Sequence, residues 1–508
     1  MRVRGLVAGV VAGALLLTLP GCGKKTDEAA RAAGITPANA LGFLTLSLEP
    51  SVDQKRNMFE ISRKFPDAKA REDFDKTKND LLQRMLEDSG LDYAKDVEPW
   101  LGSEIALAVL PGPDGREPVI ALFLEQDDED KARAALDKAN QKATAEGSTP
   151  IEYRFVDEFA VIAPDEDAAR RKAALDAVEA QSKAEDGDLA DSAEFGDVVD
   201  ELHGDRLMLG WVDTQEALKT IEQFMDGNGI DLGAALNAAS ATAFDLHTER
   251  NAVVFQGVAR GKEPAGGGDP KLTKTLPGDS FGALTVFDLP KAIRDTLAAM
   301  RQGGTDPLAE FREETGIDVE ADVLSWMGGE AVLVSAPAPG GRDIPEFALV
   351  VEPSDRPKAE ASVQKIVASL EEAMGGELER RQIAGATAFV IPEEDEGIQP
   401  AMGLFADRFV MATTPAYLEK LATAANPGFA GSPVYESVLG KAESSPTRFQ
   451  LVLDLDAIRE AIEKALPQED RAEYEADTKR NVEPFDAVGM TARRDGEFER
   501  FEMKLTFD

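Results

Sequence analysis

The sequence predicts an α+β fold made of two tandem, diverged copies of a mostly antiparallel sheet with packed amphipathic helices, following a lipoprotein signal peptide. Three observations predict it: a tryptophan motif that recurs at constant spacing, alternating strands joined by short turns, and helices with one apolar face. The chain has 508 residues, enough for two to four domains at roughly 100–200 residues each. Hydrophobic residues make up 43% of it, as is usual for a chain with a packed core.

The amino terminus has the organisation of a secretory signal. Arg2 and Arg4 precede an apolar run over 5–19, which is shorter than the roughly 20 residues of a transmembrane helix. The run leads into Leu19-Pro20-Gly21-Cys22, which resembles the Leu-x-Gly-Cys lipobox of bacterial lipoproteins. Cys22 is the only cysteine of the chain and falls where the lipobox requires one.

Similarity to the lipobox class implies a diacylglycerol on Cys22 after cleavage between Gly21 and Cys22. Residues 1–21 would then be the cleaved signal peptide, and residues 22–35 would tether the body to the extracytoplasmic face of a cell membrane. The alternative is an ordinary signal peptide or an uncleaved anchor with an incidental cysteine. A single cysteine also excludes an internal disulfide framework and every multi-cysteine metal site.

The charge balance limits the classes of partner. Ninety-five acidic residues stand against 55 basic ones, a formal net charge of −40. A nucleic-acid partner is therefore excluded on general grounds, because phosphate binding needs a concentrated basic surface. The sequence contains no phosphate loop, dinucleotide fingerprint or metal-ligand cluster, so we expect neither a cofactor nor a metal.

An internal repeat is the most informative feature of the body. Trp100 and Trp326 are 226 positions apart, and their neighbours match at the same offset. The matched pairs are Asp96 with Asp322, Gly102 with Gly328 and Glu104 with Glu330. The repeat predicts a first α+β domain over 36–260, a flexible Gly/Pro linker over 261–275 and a second α+β domain over 276–508.

Each predicted domain ends in a candidate hairpin. The first runs over 243–259, and the second turns at Asp495-Gly496 between alternating strands. Asp-Gly between such strands is a strong hairpin signal.

The repeated tryptophans have two possible roles. Each precedes an apolar strand, and the glycine two positions later allows close backbone approach. Packing is the favoured interpretation, with the carboxylates of Asp96 and Asp322 capping the turn. Ligand stacking is the alternative.

Several segments together resemble one bacterial lipoprotein family, catalogued as domain of unknown function 3352. They are the lipobox, Pro37-Ala38-Asn39, the stretch from Glu49 to Lys55, Lys64-Phe65-Pro66 and the stretch from Asp96 to Gly102. The resemblance covers most of the mature chain. It implies an envelope location, and it brings neither an assigned activity nor catalytic residues.

The remaining motifs have non-catalytic interpretations. Ser280 lies in a G-x-S-x-G nucleophile-elbow pattern, but the pattern opens a strand, which is the wrong context. His203 and His247 are the only histidines, and we expect both at the surface or in a hairpin. Residues 226–233 begin like a calcium loop without its later ligands. The acidic runs 127–130 and 393–396 are interpreted as solvated charge, the first at a helix start.

The sequence therefore predicts a lipid-anchored envelope lipoprotein that is not an enzyme and acts as a structural or interaction module. It leaves the protein or lipid partner open. The alternative is a carrier for an apolar ligand, such as a lipid, held between sheet and helices. Serine hydrolase activity through Ser280 is the remote alternative.

Overall fold

The computed structural model describes most of the body of the chain. The described residues are 30–65, 79, 82–84, 86, 89–113, 117–184, 186–217, 219, 239–261, 266–302, 307–338, 344–392, 398–424, 428–440 and 446–508. The chain divides into two compact units; the first closes at Lys262, and the second runs from Glu263 to Asp508. Among the described residues, no helix is both long and apolar enough to cross a bilayer.

The first unit is an antiparallel sheet with helices, in the order β4–β5–β3–β2–β1–β6–β7–β8. Its strands are β1 Gly42–Ser47, β2 Leu101–Leu110, β3 Val119–Gln126, β4 Glu152–Val156, β5 Phe159–Ala163, β6 Met208–Asp213, β7 Ala239–Glu249 and β8 Ala252–Gly261. Its helices are α1 Val52–Ser62, α2 Glu129–Ala145, α3 Ala168–Ser182 and α4 Ala193–Val199, with a 3-10 helix over Arg31–Ile35 and a π-helix over Tyr93–Val97.

Both faces of the first sheet are covered. Phe43 contacts Phe195 of α4 edge to face, with ring centroids 6.2 Å apart. Leu46, three positions along the same strand, clusters instead with Trp100 and with Ala132 of α2. Because residues three apart on a strand point to opposite faces, helices lie on both sides of β1.

The second unit is also an antiparallel sheet, in the order β12–β13–β14–β15–β11–β10–β9–β16–β17–β18. Its strands are β9 Gly282–Phe287, β10 Met327–Ala336, β11 Glu346–Pro353, β12 Glu379–Ile383, β13 Ala386–Val390, β14 Ala401–Leu404, β15 Phe409–Ala412, β16 Thr447–Asp454, β17 Phe485–Asp495 and β18 Phe498–Phe507. The α+β class predicted from the sequence is confirmed.

The helices of the second unit lie between its strands along the chain. They are α5 Lys271–Lys274, α6 Leu289–Gln302, α7 Pro307–Thr315, α8 Arg356–Met374, α9 Pro415–Thr423, α10 Pro433–Leu439, α11 Leu455–Ala465, α12 Gln468–Glu473 and α13 Lys479–Val482, with π-helices over Val319–Leu324 and Tyr474–Thr478 and a 3-10 helix over Phe429–Gly431.

The strand orders of the two units agree except at one place. In the first unit β5, of the hairpin β4–β5, pairs directly with β3. In the second unit the strands β14 and β15 lie between the hairpin β12–β13 and β11. The two hairpins share an unusual turn, since Asp157 and Ala384 both have a φ of 48°. The second sheet is thus two strands wider at this side.

Both hairpins predicted at the ends of the halves are present. Strands β7 and β8 pair along their length, and so do β17 and β18. Gly496 takes a φ of 60° in the second turn, which glycine adopts without steric cost.

The structure corrects the edges of the predicted tether and linker. The segment Arg31–Ile35, placed in the tether 22–35, is a 3-10 helix with Ala32 and Ala33 completely buried. Within the linker 261–275, Lys271–Lys274 forms a helix, and its Leu272 is buried in a core cluster of the second unit. In both places small or apolar side chains find a core, which the surrounding glycine, proline and charge concealed.

We expect Gly489→Ala to destabilise the second unit by about 1–3 kcal/mol, because inserted atoms overpack a filled core. A Cβ at Gly489 of β17 would lie 2.5 Å from the Cβ of Val438 in α10. Gly278→Ala is the matched control, because a Cβ there meets nothing within 4 Å. Denaturant unfolding of both variants measures the difference; equal stabilities would contradict the packing argument.

Candidate functional site

The tryptophan motif has the same geometry in both units. Trp100 and Trp326 are each only 2% exposed. The indole Nε1 of Trp100 donates to the backbone carbonyl of Asp96 at 2.6 Å, and that of Trp326 donates to the carbonyl of Asp322 at 2.9 Å. Burial with the one polar atom satisfied is what a packing role requires.

The aspartates of the motif cap the π-helix that carries them. Oδ2 of Asp96 accepts the backbone N–H of Asp92 at 2.8 Å, and Oδ2 of Asp322 accepts that of Asp318 at 2.7 Å. Each carboxylate also pairs with a lysine of the helix that follows the next strand, Lys138 in α2 and Lys365 in α8. The hydrogen bond from Lys138 lowers the pKa of Asp96.

The glycines of the motif leave room for side chains in the neighbouring strand or directly after it. A Cβ at Gly102 would lie 2.7 Å from the carboxyl carbon of Glu125, and one at Gly328 would lie 2.4 Å from the Cβ of Ser354. The close approach expected from the sequence is therefore to side chains of the same unit, and it positions Glu125 of β3.

A buried glutamate follows the motif in each unit, and we call Glu104 and Glu330 the buried glutamates. Glu104 accepts the backbone N–H of Arg31 at 3.0 Å, that of Ala32 at 3.3 Å and the hydroxyl of Thr45 at 3.0 Å. Its carboxylate thus binds the start of the 3-10 helix against β1 and β2. A negative charge is favourable at the N-terminus of a helix, because the first N–H groups have no partner within the helix.

Glu330 makes the same arrangement at the start of α5. It accepts the backbone N–H of Leu272 at 2.6 Å, and both the backbone N–H and the hydroxyl of Thr273 at 2.9 and 2.8 Å. Sequence reasoning matched Glu104 with Glu330 and assigned them no role. The sequence signal for a structural role was an acidic residue at the same place in two apolar strands.

Burial is the main influence on both carboxyls. Desolvation raises the pKa of Glu104, although hydrogen bonds from Thr45 and Ala32 act in the opposite direction. The pKa of Glu330 is raised for the same reason, against the hydrogen bonds from Leu272 and Thr273.

Arg31 joins the beginning of the packed body to three acids. Its guanidinium pairs with Glu125, with Glu158 at 3.0 Å and with Glu104 at 3.9 Å. These acids come from β3, from the turn between β4 and β5, and from β2. Arg31, which the sequence placed in the tether, is therefore fixed to three parts of the first sheet.

The two histidines meet in the first unit. Their rings stack with centroids 4.3 Å apart and planes 14° from parallel. Nδ1 of His247 lies 2.7 Å from Oδ1 of Asp245, whose side chain is completely buried. His203 is exposed, as expected, but His247 is buried in the hairpin strand β7. Nothing in their sequence spacing indicated the contact.

The other motifs have structural placements or lie outside the described residues. Ser280 is buried, and its hydroxyl donates to the carbonyl of Pro277 at 2.7 Å, a turn contact. Asp128 caps α2 by accepting the backbone N–H of Lys131, so the helix-start interpretation of the first acidic run is confirmed. Gly21, Cys22, the calcium-like segment 226–233 and the run 393–396 lie outside the described residues. Within the described part of the chain, no group of three or more acids, histidines or cysteines could hold a metal ion.

We expect Trp100→Ala to destabilise the first unit, and Trp326→Ala the second, by about 3–5 kcal/mol each, because each leaves a large cavity. Trp100→Phe keeps one aromatic ring but loses the second ring and the hydrogen bond to Asp96, so its cost should be smaller, about 1–3 kcal/mol. Calorimetric unfolding measures these effects. An unchanged melting temperature in either alanine variant would favour the ligand-stacking role.

Glu104→Gln should change how stability depends on pH. Since the folded-state pKa of Glu104 is raised, its contribution is fully present below the unfolded value of about 4.3 and is lost as the pH rises through the folded pKa. Glutamine does not titrate. The stability difference between wild type and variant should therefore shrink as the pH rises above about 4.3. Denaturant unfolding at pH values from about 4 upward measures it, with Glu98→Gln, at an exposed position, as control. A difference independent of pH would contradict the role of burial.

Comparisons with known proteins identify the family. No curated protein matches the sequence. Two crystal structures of TP0453 match with a TM-score of 0.23: form I at 14% identity over 46% of this chain and 77% of that one, and form III at 10% over 48% and 96%. A TM-score of this size supports no inference. The family model described as protein of unknown function, DUF3352, matches residues 3–507. The chain belongs to that family, as its sequence motifs predict.

Proposed function

We propose that this protein is a lipid-anchored lipoprotein on the extracytoplasmic face of a cell membrane, and that it acts as an interaction module and not as an enzyme. The observation that carries the proposal is the lipobox around the single cysteine, Cys22. Two or more acyl chains hold a protein stably on a membrane, whereas one does not.

The buried start of the body supports this arrangement. Ala30 is the first described residue, eight positions after Cys22, so the chain between them spans at most about 28 Å. Arg31 and Ala32 are already bound to Glu104. A lipid on Cys22 would therefore hold the body close to the bilayer through a short connection that joins the body at Arg31, where the backbone is bound to Glu104.

We further propose that the two units are diverged copies of one ancestral domain. The indole-to-carbonyl bond, the capping aspartate, the partner lysine and the buried glutamate recur in both units. The shared strand order, apart from β14 and β15, supports the same conclusion.

An interaction role suits the described surfaces better than the two alternatives. Leu333, Phe347 and Met411 are about half exposed on one sheet face of the second unit, where they can contact a partner surface, whereas a lipid carrier needs enclosure. A serine hydrolase needs a free nucleophile, and the hydroxyl of Ser280 is buried and donates to Pro277.

The test of the anchor is Cys22→Ser in the natural host, with Gly23→Ser as the matched control. Because the thioether needs the cysteine sulfur, we expect Cys22→Ser to leave an unprocessed precursor or to release the protein from the membrane fraction. Gly23→Ser should be processed and retained. Mass spectrometry of the amino terminus and membrane fractionation measure the outcome; normal processing and retention of Cys22→Ser would refute the proposal.

A further inference from the structure

The second sheet carries an exposed apolar patch on adjacent strands. Leu333 of β10 is 50% exposed, Phe347 of β11 is 46% exposed and Met411 of β15 is 45% exposed. Leu349 lies directly between Leu333 and Met411 in the strand register. Directly paired residues share a face of the sheet, and so does Phe347, two positions from Leu349. The patch is therefore continuous.

The patch continues as a row across the sheet, which we call the apolar strip. From β10 the row passes to Leu284 of β9, Leu451 of β16 and Met490 of β17, each directly paired with the one before. All three are partly exposed. Large contiguous apolar patches on a protein surface often mark interaction sites.

The first unit closes two of the corresponding positions. Leu122 of β3 and Ile162 of β5, which pair as Leu349 and Met411 do, are both buried. They cluster with Leu136 of α2 and are packed by Tyr153. Leu107 and Ile120, at the positions of Leu333 and Phe347, are partly exposed, so the first unit covers more of this face than the second unit does.

The helix α8 covers the neighbouring part of the same face. Its Val363 and Val367 lie in one cluster with Val351 of β11 and Phe409 of β15, which are two positions from Leu349 and Met411 and share their face of the sheet. Leu349 packs against this cluster, whereas Met411 remains 45% exposed. The exposed patch therefore begins where the cover of α8 ends.

We propose that the apolar strip is the docking site for a basic amphipathic helix of a partner protein. Leucine and methionine side chains adapt to the apolar face of a helix, and methionine-rich surfaces are common where helices dock. The net charge of −40 opposes a second copy of the chain and an anionic lipid surface, and it attracts a cationic partner. The proposal rests on the proposed function only in taking binding as the role of the chain.

The experiment uses the full chain in nanodiscs and two synthetic helical peptides of about 18 residues, a length that supports helix formation. One peptide has leucine and lysine faces, the other leucine and glutamate. We expect the basic peptide to bind, more weakly as salt rises from about 0.05 to 0.5 M, and the acidic peptide to fail. The double variant Leu333→Gln/Met411→Gln should weaken binding at least about tenfold. Empty nanodiscs correct for binding to lipid.

Two further variants keep the test decisive. Phe347→Gln should weaken binding of the basic peptide in the same way. This single variant tests the strip even if the double variant does not fold. Phe59→Gln in α1 is the matched control, because Phe59 is also 46% exposed and lies in the first unit, away from the strip residues in sequence. It should leave binding unchanged.

Four results would overturn the proposal. The first is equal binding of the basic peptide to wild type and to the folded strip variants, and the second is equal binding of both peptides. The third is binding of a fluorescent fatty acid, lost in the variants, without peptide binding, which would assign the strip to an acyl chain. The fourth is self-association lost in the variants without peptide binding, which would assign it to a second copy. Membrane retention through Cys22 is measured separately, so the two proposals fail independently.

Discussion

The buried carboxylate that follows each tryptophan motif is the interaction on which each unit depends. Glu104 accepts N–H groups at the start of the 3-10 helix and the hydroxyl of Thr45 in β1, so one side chain of β2 joins a neighbouring strand to the beginning of the unit. Glu330 does the same for α5 through Thr273, whose hydroxyl also contacts that of Thr285 in β9. A carboxylate is costly to bury, and it is tolerated where donors surround it. Because each buried carboxylate needs these donors, the 3-10 helix and α5 each have one favourable position in their unit.

The two units serve as controls for each other. A feature that both contain, such as the capping aspartate or the buried glutamate, is accounted for by the fold they share. A feature present in one unit only needs another reason. The stacked pair of His203 and His247 belongs to the first unit, and the open apolar strip belongs to the second. Function is better sought in these differences than in the repeated motif, although the motif is the stronger sequence signal.

The sequence predicted the parts of the fold that depend on local pattern. Alternating apolar residues and the Asp495-Gly496 turn predicted the last hairpin, and the burial of Trp100 followed from its place before an apolar strand. The exposure of the strip could not be predicted, because the residues of β10 and β11 have the same apolar pattern whether a helix covers them or not. The histidine contact depends on the pairing of distant segments, which no local spacing encodes.

The fixation of Arg31 has a mechanical consequence. Tension on an acylated Cys22 would reach the body at Arg31, whose partners Glu104 and Glu125 lie on β2 and β3, strands in the interior of the first sheet. A pull that enters at an edge strand can peel a sheet one hydrogen bond at a time, because the bonds break in sequence. A pull that enters between interior strands loads several ladders at once. If Cys22 is acylated, a pull through the anchor would therefore load several ladders of the first sheet together.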